Sequence, residues 1–118
     1  MNYYYYHLKM PNAHAEQART EARNRWRSAP RPADRNSWVQ RAAEVSEILK
    51  IDAVERDNAL KSPVAEVQLL KDAGLVNLLG PRKYGGAGET WQTSYKVTTE
   101  VAKADASIAH LIGNHYSW

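Results

Sequence analysis

Leu69-Leu70-Lys71-Asp72-Ala73-Gly74-Leu75 decides how the chain is read. Gly74 suits the left-handed position just past a helix end. Leu75 can then fold back onto Leu70, the apolar closure of a Schellman cap. The segment therefore closes a helix. Upstream, Ser62-Pro63 offers a capping hydroxyl and a first-turn proline, with Val64, Val67 and Leu70 as the buried side. Downstream, Leu75 to Leu79 is a short apolar segment. Gly80-Pro81 and Gly85-Gly86-Ala87-Gly88 bracket Arg82-Lys83-Tyr84, which predicts an ordered, hairpin-like loop. Helical signals resume at Glu89 or Thr90, with Trp91, Tyr95, Thr98 and Ala102 on one face. Asp105 or Ser107 opens a further helix with Ile108, Leu111, Ile112 and His115 on one side.

Toward the N-terminus, Ser37 and Gln40 have capping-box spacing. Trp38, Ala42, Val45 and Leu49 follow as one apolar stripe, and the spacing predicts a helix to about Leu60. Residues 15–27 read as a short polar helix supported by Glu21 and Arg25, stopped by Pro30 and Pro32. No strand shows clear alternation and no repeat is present. The expectation is an all-α chain with a helical domain over residues 37–118, preceded by a basic, flexible leader over residues 1–36 that stays outside the core. The last helix reaches Trp118 in pattern without a stop signal, so the domain reads as incomplete.

The 118 residues are 43% hydrophobic and 25% charged, which excludes a collagen-like or wholly disordered chain. The formal charge of +3 is uneven. Residues 1–36 hold seven Lys and Arg against Glu16, Glu21 and Asp34, while the remainder is slightly acidic. A basic arm can touch nucleic acid, but Trp26 is the one aromatic residue among these arginines, which argues against that partner. The absence of cysteine excludes disulfides and thiolate chemistry. No apolar run approaches the roughly 18 residues of a membrane span, and no signal sequence is present, so a cytoplasmic protein without a membrane partner is expected.

Several motifs fail on inspection. Gly80 and Gly85 have phosphate-loop spacing, but Gly86 stands where lysine is required. Trp91 occupies the third glycine position of a dinucleotide fingerprint begun at Gly86. Ser107 lacks a nucleophile elbow. His110 and His115 project about 140° apart on a helix, so they do not form a metal pair, and no metal site is expected. His110 and Asn114, four residues apart, share a face. This polar pair interrupts an apolar helix and reads either as an exposed stripe or as a site.

Residues 52–118 resemble the N-terminal helical domain of the acyl-CoA dehydrogenase superfamily. The resemblance rests on Asp52 to Asp57, Leu69 to Leu75, Pro81 to Gly88, Trp91, Thr93, and Val101 to His115. The last stretch is closest to the flavin-dependent monooxygenase branch, which includes dibenzothiophene monooxygenases and sulfur-acquisition oxidoreductases. The resemblance implies a longer chain in which a β-barrel domain and a C-terminal helical bundle follow, assembled as a homotetramer. It implies flavin held mostly by those absent domains, as FMN delivered by a separate flavin reductase in a monooxygenase, or as FAD in an ordinary acyl-CoA dehydrogenase. It further implies that His110 supports the flavin hydroperoxide, with Asn114 on the same face, and that Tyr84, His115 and Trp118 line the side of a small organic substrate, with organosulfur compounds as a candidate class. Asn114 departs from the dibenzothiophene enzymes, which have tyrosine there; Asn114-His115-Tyr116 is similar to the sulfur-acquisition branch. The 118 residues alone are expected to be inactive. The alternatives are an ordinary FAD-dependent acyl-CoA dehydrogenase and a non-enzymatic helical interaction module with a basic arm.

Overall fold

Helix ends are where side chains must satisfy orphan backbone groups, and three short polar residues set the frame of this chain. Asp34 accepts from the Ser37 amide at 2.8 Å, Thr90 from the Thr93 amide at 3.3 Å, and Asp105 from the Ile108 amide at 3.1 Å. The computed structural model describes residues 12–117. Among these residues the regular structure is all helical: α1 (Ala13–Ser28), α2 (Arg35–Lys50), α3 (Ala53–Ala59), α4 (Val64–Asp72), a 3-10 turn (Arg82–Tyr84), α5 (Trp91–Ala102) and α6 (Ala106–Tyr116). The long helix α2 packs along α5, and α5 packs along α6. Helices α1 and α4 close the remaining sides of the core built on Trp38, Leu49, Leu69, Leu75, Val97 and Ile112.

The cap at the end of α4 forms as expected. Gly74 has φ of 82°, its amide donates to the Lys71 carbonyl, and the Leu75 amide donates to the Leu70 carbonyl. That is the paired hydrogen bonding of a Schellman motif, with Leu75 and Leu70 both buried.

Other expectations are corrected. The helix begun near Ser37 starts at Arg35, because Asp34 and not Ser37 caps it. It ends at Lys50 instead of Leu60, and α3 is a separate short helix that buries no apolar side chain. Pro63 occupies the cap position of α4, with no side-chain hydrogen bond there, and Val64 is 75% exposed. The segment expected to lie outside the core contains α1, whose Ala15, Ala22 and Trp26 are buried. Alanines pack flat against a neighbour without making a visible stripe. The Trp26 indole donates to Glu44 of α2 at 2.9 Å, which satisfies its nitrogen at the rim of the core. Tyr3 to Tyr6 and Met10, read as leader, lie outside the described residues.

The α5 face is rotated from expectation. Thr93, Ser94, Val97 and Val101 face inward, whereas Trp91 and Tyr95 are exposed. In α6 the buried set is Ile108, Ala109, Ile112 and Tyr116, with Leu111 half exposed. Burial pushes the Tyr116 phenol well above the ordinary tyrosine value, and its hydroxyl donates to the Leu75 carbonyl at 2.6 Å. Tyr116→Phe should therefore cost about 1–2 kcal/mol in stability, since the buried carbonyl loses its partner while the ring volume is kept. Chemical denaturation of the two proteins measures it; a shift below a few tenths would show that the bond is not needed.

Candidate functional site

Helix α6 carries the candidate residues. Its capping carboxylate, Asp105, fixes the first turn, and Ile108, Ala109 and Ile112 fix which side faces α5. His110 and Asn114 are thereby left on the exposed side, where the Asn114 amide nitrogen lies 3.1 Å from His110 Nε2. An amide nitrogen is a donor only, so in this pairing Nε2 accepts, which leaves Nδ1 as the ring nitrogen that donates. The structure brings this pair together as the spacing predicted. A solvent-facing, oriented imidazole with a free N–H is able to donate a hydrogen bond to an incoming group.

The other candidates do not join it. His115 is exposed on a different side, and its Nε2 donates to the Val76 carbonyl at 2.8 Å. With Tyr116 on the Leu75 carbonyl, two adjacent residues of α6 hold two adjacent carbonyls of the chain leaving α4. Tyr84 is 77% exposed in the 3-10 turn, with Lys83 Nζ 5.0 Å from its ring. Trp118 lies outside the described residues. Trp91 and Tyr95, exposed on α5 with ring centroids 6.2 Å apart, form an aromatic surface on the side opposite to the expected one.

The glycine loop is structural. The amides of Gly86, Ala87, Gly88 and Glu89 donate to the carbonyls of Pro81, Asn77, Gly80 and Leu78, so this row of donors is already engaged within the loop. A shallow cleft of about 270 Å³ lies elsewhere, against Trp26 and Trp38, with Arg41 over the Trp26 ring at 5.1 Å and Arg31 over the Trp38 ring at 5.9 Å. Burial lowers the Arg41 pKa, and the guanidinium donates to the Ala73 carbonyl at 3.1 Å. None of the candidate residues lines this cleft.

A largely buried charge cluster beside α6 has no local signature in the sequence. Arg56 of α3 meets Asp52 through Nη1, Asp105 through Nη2 at 2.7 Å and Glu66 of α4 through Nε at 3.6 Å. Arg19 of α1 stands 3.8 Å from Asp52. For the Asp105 carboxyl, burial works upward, but the Arg56 hydrogen bond and the Ile108 amide outweigh it and hold the group below its ordinary value. Among the described residues, no three His, Asp or Glu side chains form a group able to hold a metal. None of these helices is long and apolar enough to cross a membrane.

Residues 38–118 match the acyl-CoA dehydrogenase N-terminal domain, and the chain belongs to the acyl-CoA dehydrogenase superfamily. It is 45% identical over 86 residues to a dibenzothiophene monooxygenase of Rhodococcus erythropolis, an alignment covering 73% of this chain and 21% of that protein. It is 39% identical over 87 residues to the probable FMNH2-dependent monooxygenase SfnC of Pseudomonas putida, covering 74% and 21%. A putative acyl-CoA dehydrogenase, YdbM of Bacillus subtilis, is 29% identical over 80 residues, covering 68% and 21%. The chain thus spans about a fifth of the length of the curated relatives it matches. No solved structure matches it.

Proposed function

We propose that this chain is the helical domain of a reduced-flavin monooxygenase that oxygenates a small organic substrate, with organosulfur compounds as the candidate class. The observation that carries the reading is the hydrogen-bonded His110–Asn114 pair on the open side of α6. Support comes from the monooxygenase names of relatives at 39–45% identity. The ordinary dehydrogenase reading draws on a relative at 29%.

The residues present fit one part of a flavin and not another. His110 and Asn114 offer exposed polar atoms suited to the edge of a flat ring system, and the neighbouring helix α5 exposes Trp91 and Tyr95. The glycine loop has spent its amides on its own carbonyls and offers a phosphate no cradle. The phosphate end of FMN, or of FAD, therefore belongs to parts of the full-length protein beyond these residues, as does any homotetramer contact. A separate flavin reductase and a cytoplasmic setting complete the proposal.

Reduced flavin, when bound, supplies electrons to dioxygen. The work of this domain is to place a proton and to keep water away. Asn114 fixes the ring of His110, so the Nδ1 proton is held ready as a preorganised donor where negative charge develops on oxygen. Leu111, next to His110 in the chain and half exposed, supplies apolar surface able to exclude water from that proton. Tyr84 in the loop and Trp118 would complete the substrate side; His115, tied to Val76, would act through packing.

The test is made on the full-length protein with reduced FMN, dioxygen and dibenzothiophene as probe substrate. His110→Ala should lower oxygenation about tenfold to a thousandfold, the range for losing one preorganised donor. It should also raise hydrogen peroxide released per FMN oxidised. His115→Ala should lower stability and leave that ratio near wild type. Unchanged coupling in His110→Ala would overturn the reading.

A further inference from the structure

Helix α3 is an anomaly of packing. It has seven residues, buries no apolar side chain, and leaves Val54 74% exposed. Leu60, which follows it in a left-handed conformation with φ of 52°, is 90% exposed. Apolar burial does not hold this helix in place. What points inward is Arg56, whose side chain is 15% exposed and whose three nitrogens each meet a different carboxylate. Asp52 belongs to the start of α3 itself, Glu66 to α4 and Asp105 to the start of α6.

Asp105 is the informative partner. One of its oxygens, Oδ1, accepts the Ile108 amide and caps α6; the other, Oδ2, accepts Arg56 Nη2. The guanidinium thus grips the group that sets the first turn of α6, one turn before His110. The far end of the same helix is held by His115 on Val76 and Tyr116 on Leu75. A helix pinned at both ends cannot slide or rotate, so the exposed His110–Asn114 pair keeps one position relative to the body of the domain.

We infer that Arg56 is a positioning residue for His110, acting through Asp105 and the N-terminal turn of α6. This rests on the reading of His110 as the proton donor of the site. A planar fork with donors in fixed directions serves three carboxylates at once. A lysine ammonium supplies the charge but cannot reproduce that geometry.

The experiment uses the full-length protein, at a temperature where every variant is folded by circular dichroism. Amide hydrogen exchange of residues 106–110 is followed in Arg56→Lys and in Asp105→Ser. The serine keeps an oxygen to cap Ile108 but gives Arg56 no carboxylate. Both variants should exchange this turn at least about tenfold faster while α5 keeps its protection. In parallel, hydrogen peroxide released from reduced FMN in air is measured in a double-mutant cycle with His110→Ala. Arg56→Lys should raise release severalfold in the native background and add nothing once His110 is gone, the non-additivity expected of residues acting in series. Equal effects in both backgrounds would overturn the inference, because Arg56 would then act by another route. So would a native exchange rate at residues 106–110. If His110→Ala alone leaves peroxide release unchanged, the reading of His110 fails instead, and the exchange measurement still decides whether Arg56 holds the turn. Should Arg56→Lys not fold, Asp105→Ser carries both measurements.

Discussion

Gly86→Ala is expected to be among the most damaging single-methyl changes available in this domain. A Cβ built there would lie 2.1 Å from the Gly80 carbonyl oxygen, 2.2 Å from its carbon and 2.6 Å from its Cα. All three are backbone atoms, so no rotamer change relieves the clash. The backbone cannot separate either, because the two sides of the loop are sewn together around this point. The Gly88 amide donates to Gly80, the Ala87 amide to Asn77 and the Glu89 amide to Leu78, at 2.8 to 3.0 Å. The neighbours Leu78 and Ala87 are both core residues, so a loop that springs open withdraws apolar surface from the core. The cost should exceed the about 1–3 kcal/mol of ordinary overpacking. Gly85→Ala is the comparison. Gly85 has φ of 88° with nothing within 4 Å of its would-be Cβ, so it carries only left-handed strain of about 1–2 kcal/mol. Thermal unfolding of the two variants should show Gly86→Ala falling at least twice as far as Gly85→Ala. Equal shifts would mean that the loop yields without loss.

The contrast between Gly74 and α5 shows which parts of this fold local sequence could specify. The Schellman cap is built from residues within six positions, and its glycine and its two leucines each have a single good role there, so the motif predicted its own hydrogen bonds. On α5 the largest apolar side chains, Trp91 and Tyr95, suggested the wrong face. The real inward face includes Thr93 and Ser94, which are fully buried at almost no polar cost. Ser94 Oγ donates to the Trp91 carbonyl at 2.7 Å, and the Thr93 hydroxyl pairs with that of Thr90 at 3.2 Å. Local bonds of this kind let small polar residues pass as core, which hydropathy does not register. The polar pair of α6 was readable because both partners sit on one helix turn. The Arg56 cluster was not, since its carboxylates come from positions 52, 66 and 105 and meet only through tertiary packing. Helix α1 is legible as a helix but its place in the core is not, for a similar reason: Ala15 and Ala22 bury completely but leave almost no amphipathic signal.

The two tryptophans that led the sequence reading of their helices should behave in opposite ways. Trp38 is 1% exposed on α2 and belongs to the central core. Its ring lies under Gly74, where even a Cβ would come within 3.2 Å of Cη2, and Arg31 covers it at 5.9 Å. The glycine that caps α4 therefore also lets the backbone approach that ring, which couples the cap to the core. Trp38→Ala removes the largest fully buried side chain among the described residues and leaves a void ringed by a helix end that cannot collapse without losing its left-handed turn. The expected loss is about 3–5 kcal/mol, the range for burying an aromatic and then deleting it. Against a domain stability of about 5–15 kcal/mol, that is a third or more of the total for a weakly stable fold. Trp91 is 50% exposed, and among the described residues its ring contact is the tilted Tyr95 neighbour on the same helix. Trp91→Ala should change stability by about 0.5 kcal/mol or less, as a surface substitution does. Urea unfolding of the two variants, followed by circular dichroism, makes the comparison directly. A large loss for Trp91→Ala with a small one for Trp38→Ala would mean that α5 presents its aromatic face inward after all. The exposed aromatic surface of α5 would then not exist.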